Sequence, residues 1–391
     1  MKEAFIIAAK RTPIGALLGN LSHLTATQLG ALAIQSAYQE AKVEVTQIDS
    51  IYMGNVLSAN LGQLPARQAA IFAGIPPDKD ATTVNKVCSS GMKATMLGAQ
   101  QIQLELENII VTGGMESMSN TPHYAAIRKP TKLGDAHLID GMLKDGLWDV
   151  YNNFHMGSAA ELGVKKYGLT RKMVDDYALH SYEKSAAATT NGKFIREIIP
   201  ITVEHKGVST IVNSDEDISK IIPDKISKLK PVFDKDGILT AANSSNLNDG
   251  AAALIVASKV AVEKHQLKPV AKIISFADAA QAPEWFTTSP AIAITKALKL
   301  AKLKLQDIDF FEINEAYASV ILSNQKILDL NLDKVNVYGG AVAMGHPIGA
   351  SGARIIATLI AVLKQEGGKY GVAAICNGGG GASAIVIENV D

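Results

Sequence analysis

Only two cysteines occur in the 391 residues, Cys88 in TVNKVCSSGMKA and Cys376 in AAICNGGGGASA. A thiol attacks a carbonyl carbon as its thiolate, and a helix N-terminus favours that form through its unsatisfied N–H groups. Cys88 is followed by Ser-Ser-Gly and then a run that reads as a helix, so its pKa is expected to fall. Taking the thiol proton needs a base that titrates near neutrality, as histidine does. Among eight histidines, His346 sits between Gly345 and Pro347, with further glycines at 339, 340, 349 and 352. Those glycines leave room for something to pass close to the backbone, and the setting suits either a catalytic base or a structural histidine. His23, His123, His137, His180, His205 and His265 read as surface or loop positions. Cys376 precedes NGGGG, whose N–H groups can face a developing oxyanion, although such a cluster equally suits a tight turn. No G-x-x-x-x-G-K-[ST], CxxC or H-E-x-x-H spacing occurs, and no metal site is expected.

These residues must be positioned by alternating elements. EAFIIAA, SIYMGNV, TTVNKV and NIIVTGG read as strands separated by helical patterns, with AAALIVAS as a further strand. The same order returns in VAKIISFADA, IDFFEIN, NVYGG, GVAAIC and SAIVIEN. The chain therefore reads as two β-α-β-α-β-α-β-β copies, which predicts mostly parallel sheets covered by helices. Ligands on such sheets bind beyond the carboxyl ends of the strands. Cys88, Asn314, His346 and Cys376 all fall at strand ends, with His346 following NVYGG. Residues 119–248 interrupt the first copy. A segment of about 130 residues must carry elements of its own, and AAELGVKKYG and RKMVDDYALHSYEKSAAAT read as its helices.

Composition narrows the partners. The 38 basic and 38 acidic residues give zero formal charge, and no basic run with interleaved aromatics appears, so nucleic acid is not expected. No run of 18 or more apolar residues points to a membrane. Two cysteines do not make a disulfide framework, and the N-terminal MKEAFIIAAKRTP reads as a strand and turn; a cytoplasmic setting is expected, and a mature mitochondrial matrix protein would look alike.

Taken together and in order, NKVCSSGMKA, NEAYA, GGAVAMGHPIGASGARI and CNGGGGASA closely resemble the thiolase family over essentially the whole chain. AANSSNLNDGAAAL and HMGSAAELGVKKYG resemble its acetyl-CoA-using branch. The resemblance implies an α/β thiolase fold, with duplicated halves forming a layered α-β-α-β-α core. The expected boundaries are 1–118 plus 249–268 for the N-terminal half, 119–248 for an inserted loop subdomain that binds coenzyme A, and 269–391 for the C-terminal half. The implied activity is acetyl-CoA C-acetyltransferase: two acetyl-CoA condense to acetoacetyl-CoA plus CoA, reversibly, through an acetyl-cysteine. A longer-chain 3-ketoacyl-CoA thiolase and a non-catalytic acyl-CoA or lipid carrier are the alternatives.

By the same resemblance Cys88 is the nucleophile, His346 its base, and Cys376 the acid/base at the substrate α-carbon. Asn314 holds a water that forms an oxyanion hole with His346, and the N–H groups of Cys88 and Gly378 form a second. Leu147, His155, Met156, Phe233, Ala241 and Ser245, with Ala316 and Tyr317, are expected to contact coenzyme A. CoA is substrate and product, with no tightly bound cofactor, and a homotetramer built from dimers is implied. Lys220, Lys225, Lys228 and Lys230 suit either CoA phosphates or a solvated face. Tyr317 stands where the commoner family pattern has phenylalanine, which leaves the acyl range open. Ile218 replaces a tyrosine of the potassium-responsive members, so no potassium site is expected.

Overall fold

A computed structural model describes residues 2–129, 132–205 and 207–390. The first half runs β1 (Ala4–Arg11), α1 (Ala26–Ala41), β2 (Ser50–Gly54), α2 (Pro65–Phe72), β3 (Asp80–Val84), α3 (Ser90–Gln103) and β4 (Ile109–Ser117). The inserted region contains α4 (Met156–Lys166) and α5 (Arg171–Thr190), after which β5 (Asn248–Ser258) returns to the sheet. The second half runs β6 (Ala271–Ala280), α6 (Ser289–Ala301), β7 (Phe310–Ile313), α7 (Ala318–Leu328), α8 (Ile348–Glu366), β8 (Tyr370–Asn377) and β9 (Gly381–Asn389). Local chemistry sets several boundaries. Thr25 and Gln28 make a reciprocal capping box that starts α1, and left-handed Lys42 stops it.

The strands form one sheet in the order β7-β8-β9-β6-β1-β5-β4-β2-β3. Its halves join where β1 pairs with β6 over Ala4–Ile6. Helices α1 and α2 cover the outer face of the first half around Leu29, Ile34, Ile51 and Val111. The outer face of the second half is packed by α6, with Ile321 of α7, around Ile294, Ile313 and Val386. Between the two half-sheets lie α3 and α8, which bury Met92, Met96, Ile355 and Leu359 against Leu254, Ile375 and Ile385. This is the layered α-β-α-β-α order. Helix α8 is long and apolar enough to cross a membrane, yet it is buried at the centre of the core.

Two expectations about the strands are corrected. The sheet is mixed: β2–β3, β2–β4 and β7–β8 are parallel, whereas β1–β5, β4–β5, β6–β9 and β8–β9 are antiparallel. In the second half β8 and β9 are joined by a short turn with no crossover helix, and strands so connected pair antiparallel. NVYGG is not a strand either, because only Val335 bridges to Phe311 before the chain turns away through Asn336, whose φ is 46°. Asn336 instead spends its amide on the backbone N–H and C=O of Ile313.

Candidate active site

The N-terminal turns of α3 and α8 meet at the centre of the fold. Glycine makes this possible: a Cβ on Gly352 would lie 2.4 Å from the Met92 nitrogen, and one on Gly114 would lie 2.0 Å from the Gly349 oxygen. Just before α3 stands Cys88, and just before α8 stands His346. Val87 holds the turn at φ 48°, a left-handed conformation that costs a β-branched residue on the order of 1–3 kcal/mol. Ser90 locks this turn by donating its hydroxyl to the Val87 oxygen at 2.6 Å and accepting the Lys86 N–H at 2.8 Å.

The backbone N–H groups of Cys88 itself and of Gly378 lie close enough to the Cys88 sulfur to favour its charged form. Gly378 opens the turn between β8 and β9, where Gly379 and Gly380 both have φ of 81°. That turn is pinned because the Gly380 carbonyl accepts from the Gln281 N–H at 3.0 Å and the Ser289 hydroxyl at 2.7 Å. The expected fall in the Cys88 pKa is not found. Burial pushes the thiol up to about 12, and the two N–H groups only oppose that rise. The thiol is thus neutral until a base takes its proton.

His346 is fixed in place by its neighbours. Its backbone N–H donates to Asn248 Oδ1 at 2.9 Å, and Gly345, at φ 107°, has no room for a Cβ against the same amide. Ser351 donates its one hydroxyl proton to the Pro347 oxygen at 2.9 Å, so its oxygen accepts Nδ1–H of His346 at 2.6 Å. The tautomer follows: Nε2 is bare. Burial, aided by the Arg354 charge, pulls the imidazole pKa down to about 3. Nε2 faces the Asn314 amide nitrogen at 3.4 Å, while Arg354 Nη2 donates to the Asn314 oxygen at 3.4 Å and so orients that amide. Asn314 and Cys376 are completely buried behind the cavity wall, and burial together with the charge of Cys88 raises the Cys376 thiol.

A cavity of about 330 Å3 opens onto Cys88, His346 and Gly378. From the inserted region it receives Leu147, His155, Met156, Phe233, Ala241 and Ser245, and from the segment before α7 it receives Ala316 and Tyr317. All eight expected coenzyme A contacts therefore line one space with three of the five expected chemical groups. His155 caps α4 by accepting the Gly157 N–H at 2.9 Å and stacks on Phe233 at 4.9 Å. Lys220 is instead paired with Glu216 and Asp217, while Lys225, Lys228 and Lys230 are exposed. His23, His123, His137 and His180 are exposed and His265 is half-buried; the side chain of His205 lies outside the described residues.

A family model described as "Thiolase, N-terminal domain" matches residues 4–260, and "Thiolase, C-terminal domain" matches 267–389. The chain belongs to the thiolase family. This thiolase is 53% identical to acetyl-CoA acetyltransferase 2 of Arabidopsis thaliana over 99% of its own length and 97% of that protein's. It is 51% identical to the cytosolic acetyl-CoA acetyltransferase ERG10 of Gibberella zeae, covering 100% of this chain and 99% of the other. Among solved structures, it superposes on the Acat5 thiolase from Ascaris suum in complex with coenzyme A with a TM-score of 0.95 at 44% identity, covering both chains fully. The human mitochondrial 3-ketoacyl-CoA thiolase gives a TM-score of 0.97 at 39% identity, covering 100% of this chain and 99% of the other.

Several residues that organise the site of this thiolase went unnoticed in its sequence. Ser351, Arg354 and Asn248 orient the histidine and the asparagine. Ser89 donates to Asn377 Oδ1 at 2.9 Å and so ties the Cys88 turn to the Cys376 strand. Buried Glu116 accepts from the N–H groups of Val56, Leu57 and Gly349 and from Asn55, joining the β2 loop to α8. Glu315 accepts from Tyr177, Ser181, Asn336 and the Val342 N–H, which fixes the Asn314–Tyr317 segment against α5. The one sequence signal for Glu116 and Glu315 was an acidic residue inside an otherwise apolar strand region.

Proposed function

We propose that this thiolase is an acetyl-CoA C-acetyltransferase that interconverts two acetyl-CoA with acetoacetyl-CoA plus CoA. Full-length identities near 50% to acetyl-CoA acetyltransferases support the substrate class. The observation that carries the chemistry is a thiol that shares one cavity with Gly378 and with a histidine whose Nε2 carries no proton.

In this reading His346 Nε2 takes the Cys88 proton, and the sulfur attacks the thioester carbon of acetyl-CoA. The N–H groups of Cys88 and Gly378 stabilise the oxyanion, and collapse releases CoA, whose sulfur takes the Cys376 proton and leaves Cys376 as thiolate while His346 keeps the proton of Cys88. A second acetyl-CoA then gives an α-proton to Cys376 as thiolate, while Asn314 and His346 stabilise the enolate oxygen. The carbanion attacks the acetyl-enzyme, the C–S bond to Cys88 breaks, the Cys88 sulfur recovers its proton from His346, and acetoacetyl-CoA leaves. Coenzyme A enters only as substrate and product. A homotetramer belongs to the same proposal. Two catalytic thiols require a reducing compartment, cytoplasm by preference; relatives occur in cytosolic and mitochondrial forms.

Thiolysis of acetoacetyl-CoA and longer 3-ketoacyl-CoA esters, with mass spectrometry of the trapped acyl-enzyme, tests the reading. Acetoacetyl-CoA should be cleaved fastest, with acetyl on Cys88. Faster turnover of a long-chain ester, or an unmodified Cys88, would overturn it.

A further inference from the structure

The reactive cavity is mostly apolar, walled by Met118, Met156, Phe233, Leu247, Phe286 and Ile348. Three hydroxyl-bearing residues interrupt it, Ser244, Ser245 and Tyr317, of which Ser244 and Tyr317 lie opposite each other. Tyr317 lines the cavity, buried to 7% exposure, with its ring wedged edge-on against Phe233 at 5.7 Å and Phe286 at 6.4 Å. Ser244 also lines it, at 4% exposure, and its Oγ is buried without any hydrogen-bond partner. Among the described residues Tyr317 likewise has no hydrogen-bond partner for its hydroxyl. The two residues face each other across an antiparallel bridge, so their side chains rise from the same side of the backbone pair. Flanking bonds hold that pairing: Ser245 N–H to the Ala316 oxygen at 3.0 Å, and Ala318 N–H to the Asn243 oxygen at 2.9 Å.

A hydroxyl walled in by apolar groups without a partner is costly, and an apolar ligand in the cavity leaves that cost in place. A ligand that carries a hydrogen-bonding oxygen at that place removes the penalty. No lysine or arginine lines the cavity, and its histidines are held neutral or lowered by burial, so an anionic acyl group would find no counter-charge. A neutral hydroxyl fits. Tyr317 shares the cavity with Cys88 and belongs to the same buried cluster as Cys376.

Resting on the thiolase reading above, we propose that Ser244 and Tyr317 make this site selective for short acyl groups bearing a hydroxyl, of which hydroxyacetyl is the smallest. In condensation, Cys88 sulfur displaces CoA from hydroxyacetyl-CoA. The acetyl-CoA carbanion, formed by proton loss to Cys376, attacks the bound carbonyl. The C–S bond to Cys88 breaks as the new C–C bond forms, giving 4-hydroxy-3-oxobutanoyl-CoA. No oxidant or reductant is involved.

The test is a competition between hydroxyacetyl-CoA and propionyl-CoA, which have nearly the same shape and differ by one hydroxyl. Equimolar mixtures are offered to the full-length enzyme, and the two acyl forms of Cys88 are counted by mass spectrometry. One hydrogen bond predicts a wild-type ratio of roughly three to ten in favour of hydroxyacetyl. In Tyr317→Phe the ratio should fall to about one, and Ser244→Ala should lower it less far. A wild-type ratio at or below one, a ratio unchanged in both variants, or equal loss of both acyl forms would overturn the proposal. Equal loss would assign the hydroxyls to the pantetheine arm. If Tyr317→Phe does not fold, the wild-type and Ser244→Ala ratios still decide. Failure of acetyl-CoA itself to acylate Cys88 would instead strike the thiolase reading.

Discussion

Ser351 decides which nitrogen of His346 carries the proton. With its hydroxyl proton committed to Pro347, it admits only the Nδ1–H tautomer and leaves Nε2 toward the cavity. Ser351→Ala should slow acetylation of Cys88 by about 100-fold, the scale of a misplaced catalytic group, and should cost about 1–3 kcal/mol of stability because the buried Nδ1–H loses its partner. Stopped-flow measurement of CoA release checks this; a rate within twofold of wild type would contradict the tautomer argument. Burial has a second consequence here. The folded imidazole titrates near 3 and the unfolded one near 6.5, so below 6.5 the unfolded chain binds a proton that the folded chain refuses. Wild type should therefore lose stability relative to His346→Asn as pH falls from 6.5 toward 3, with a constant difference above 6.5. Urea denaturation of both proteins at several pH values measures it, and a difference that does not vary would sink the claim. Cys88 teaches the converse lesson about reading a sequence. Its place before a helix was legible, but the rise to about 12 comes from distant walls, which no local pattern carries.

The decisive element pair is α3 with α8, whose N-termini bring Cys88 and His346 to one cavity. Their approach depends on Gly352, where a Cβ would meet Met92 backbone at 2.4 Å. Gly352→Ala should destabilise the fold by about 1–3 kcal/mol, as overpacking does, and should slow acetylation because the Cys88 turn moves with α3. Denaturation midpoints and acyl-enzyme formation read the two effects; an unchanged midpoint would refute the contact. The strands and helices of both copies were largely legible from alternation, since apolar runs and helical periods differ plainly. NVYGG misled because a short apolar run before glycines has strand composition whether or not a neighbour remains to pair it, and here only Val335 pairs. The links among elements were not legible. Asn248 reaches His346 across 98 residues and Glu116 reaches Gly349 across 233, partnerships that only the assembled fold creates.

At the scale of the molecule, the two family-model halves are not independent bodies. Their sheets are joined through β1 and β6, and the α3–α8 layer is covered from both sides. Calorimetry should therefore give a single cooperative transition, and two separable ones would show that the halves fold alone. Val87 adds a consequence for how such a molecule changes over generations. Its left-handed backbone aims the thiol at a standing cost to the fold, so resistance to heat and speed of acylation pull this one position in opposite directions. Selection for heat tolerance alone would favour a residue at ease with positive φ, such as glycine, and lineages that keep valine would be those in which turnover limits growth. Deep mutational scanning under the two selections reads that conflict directly.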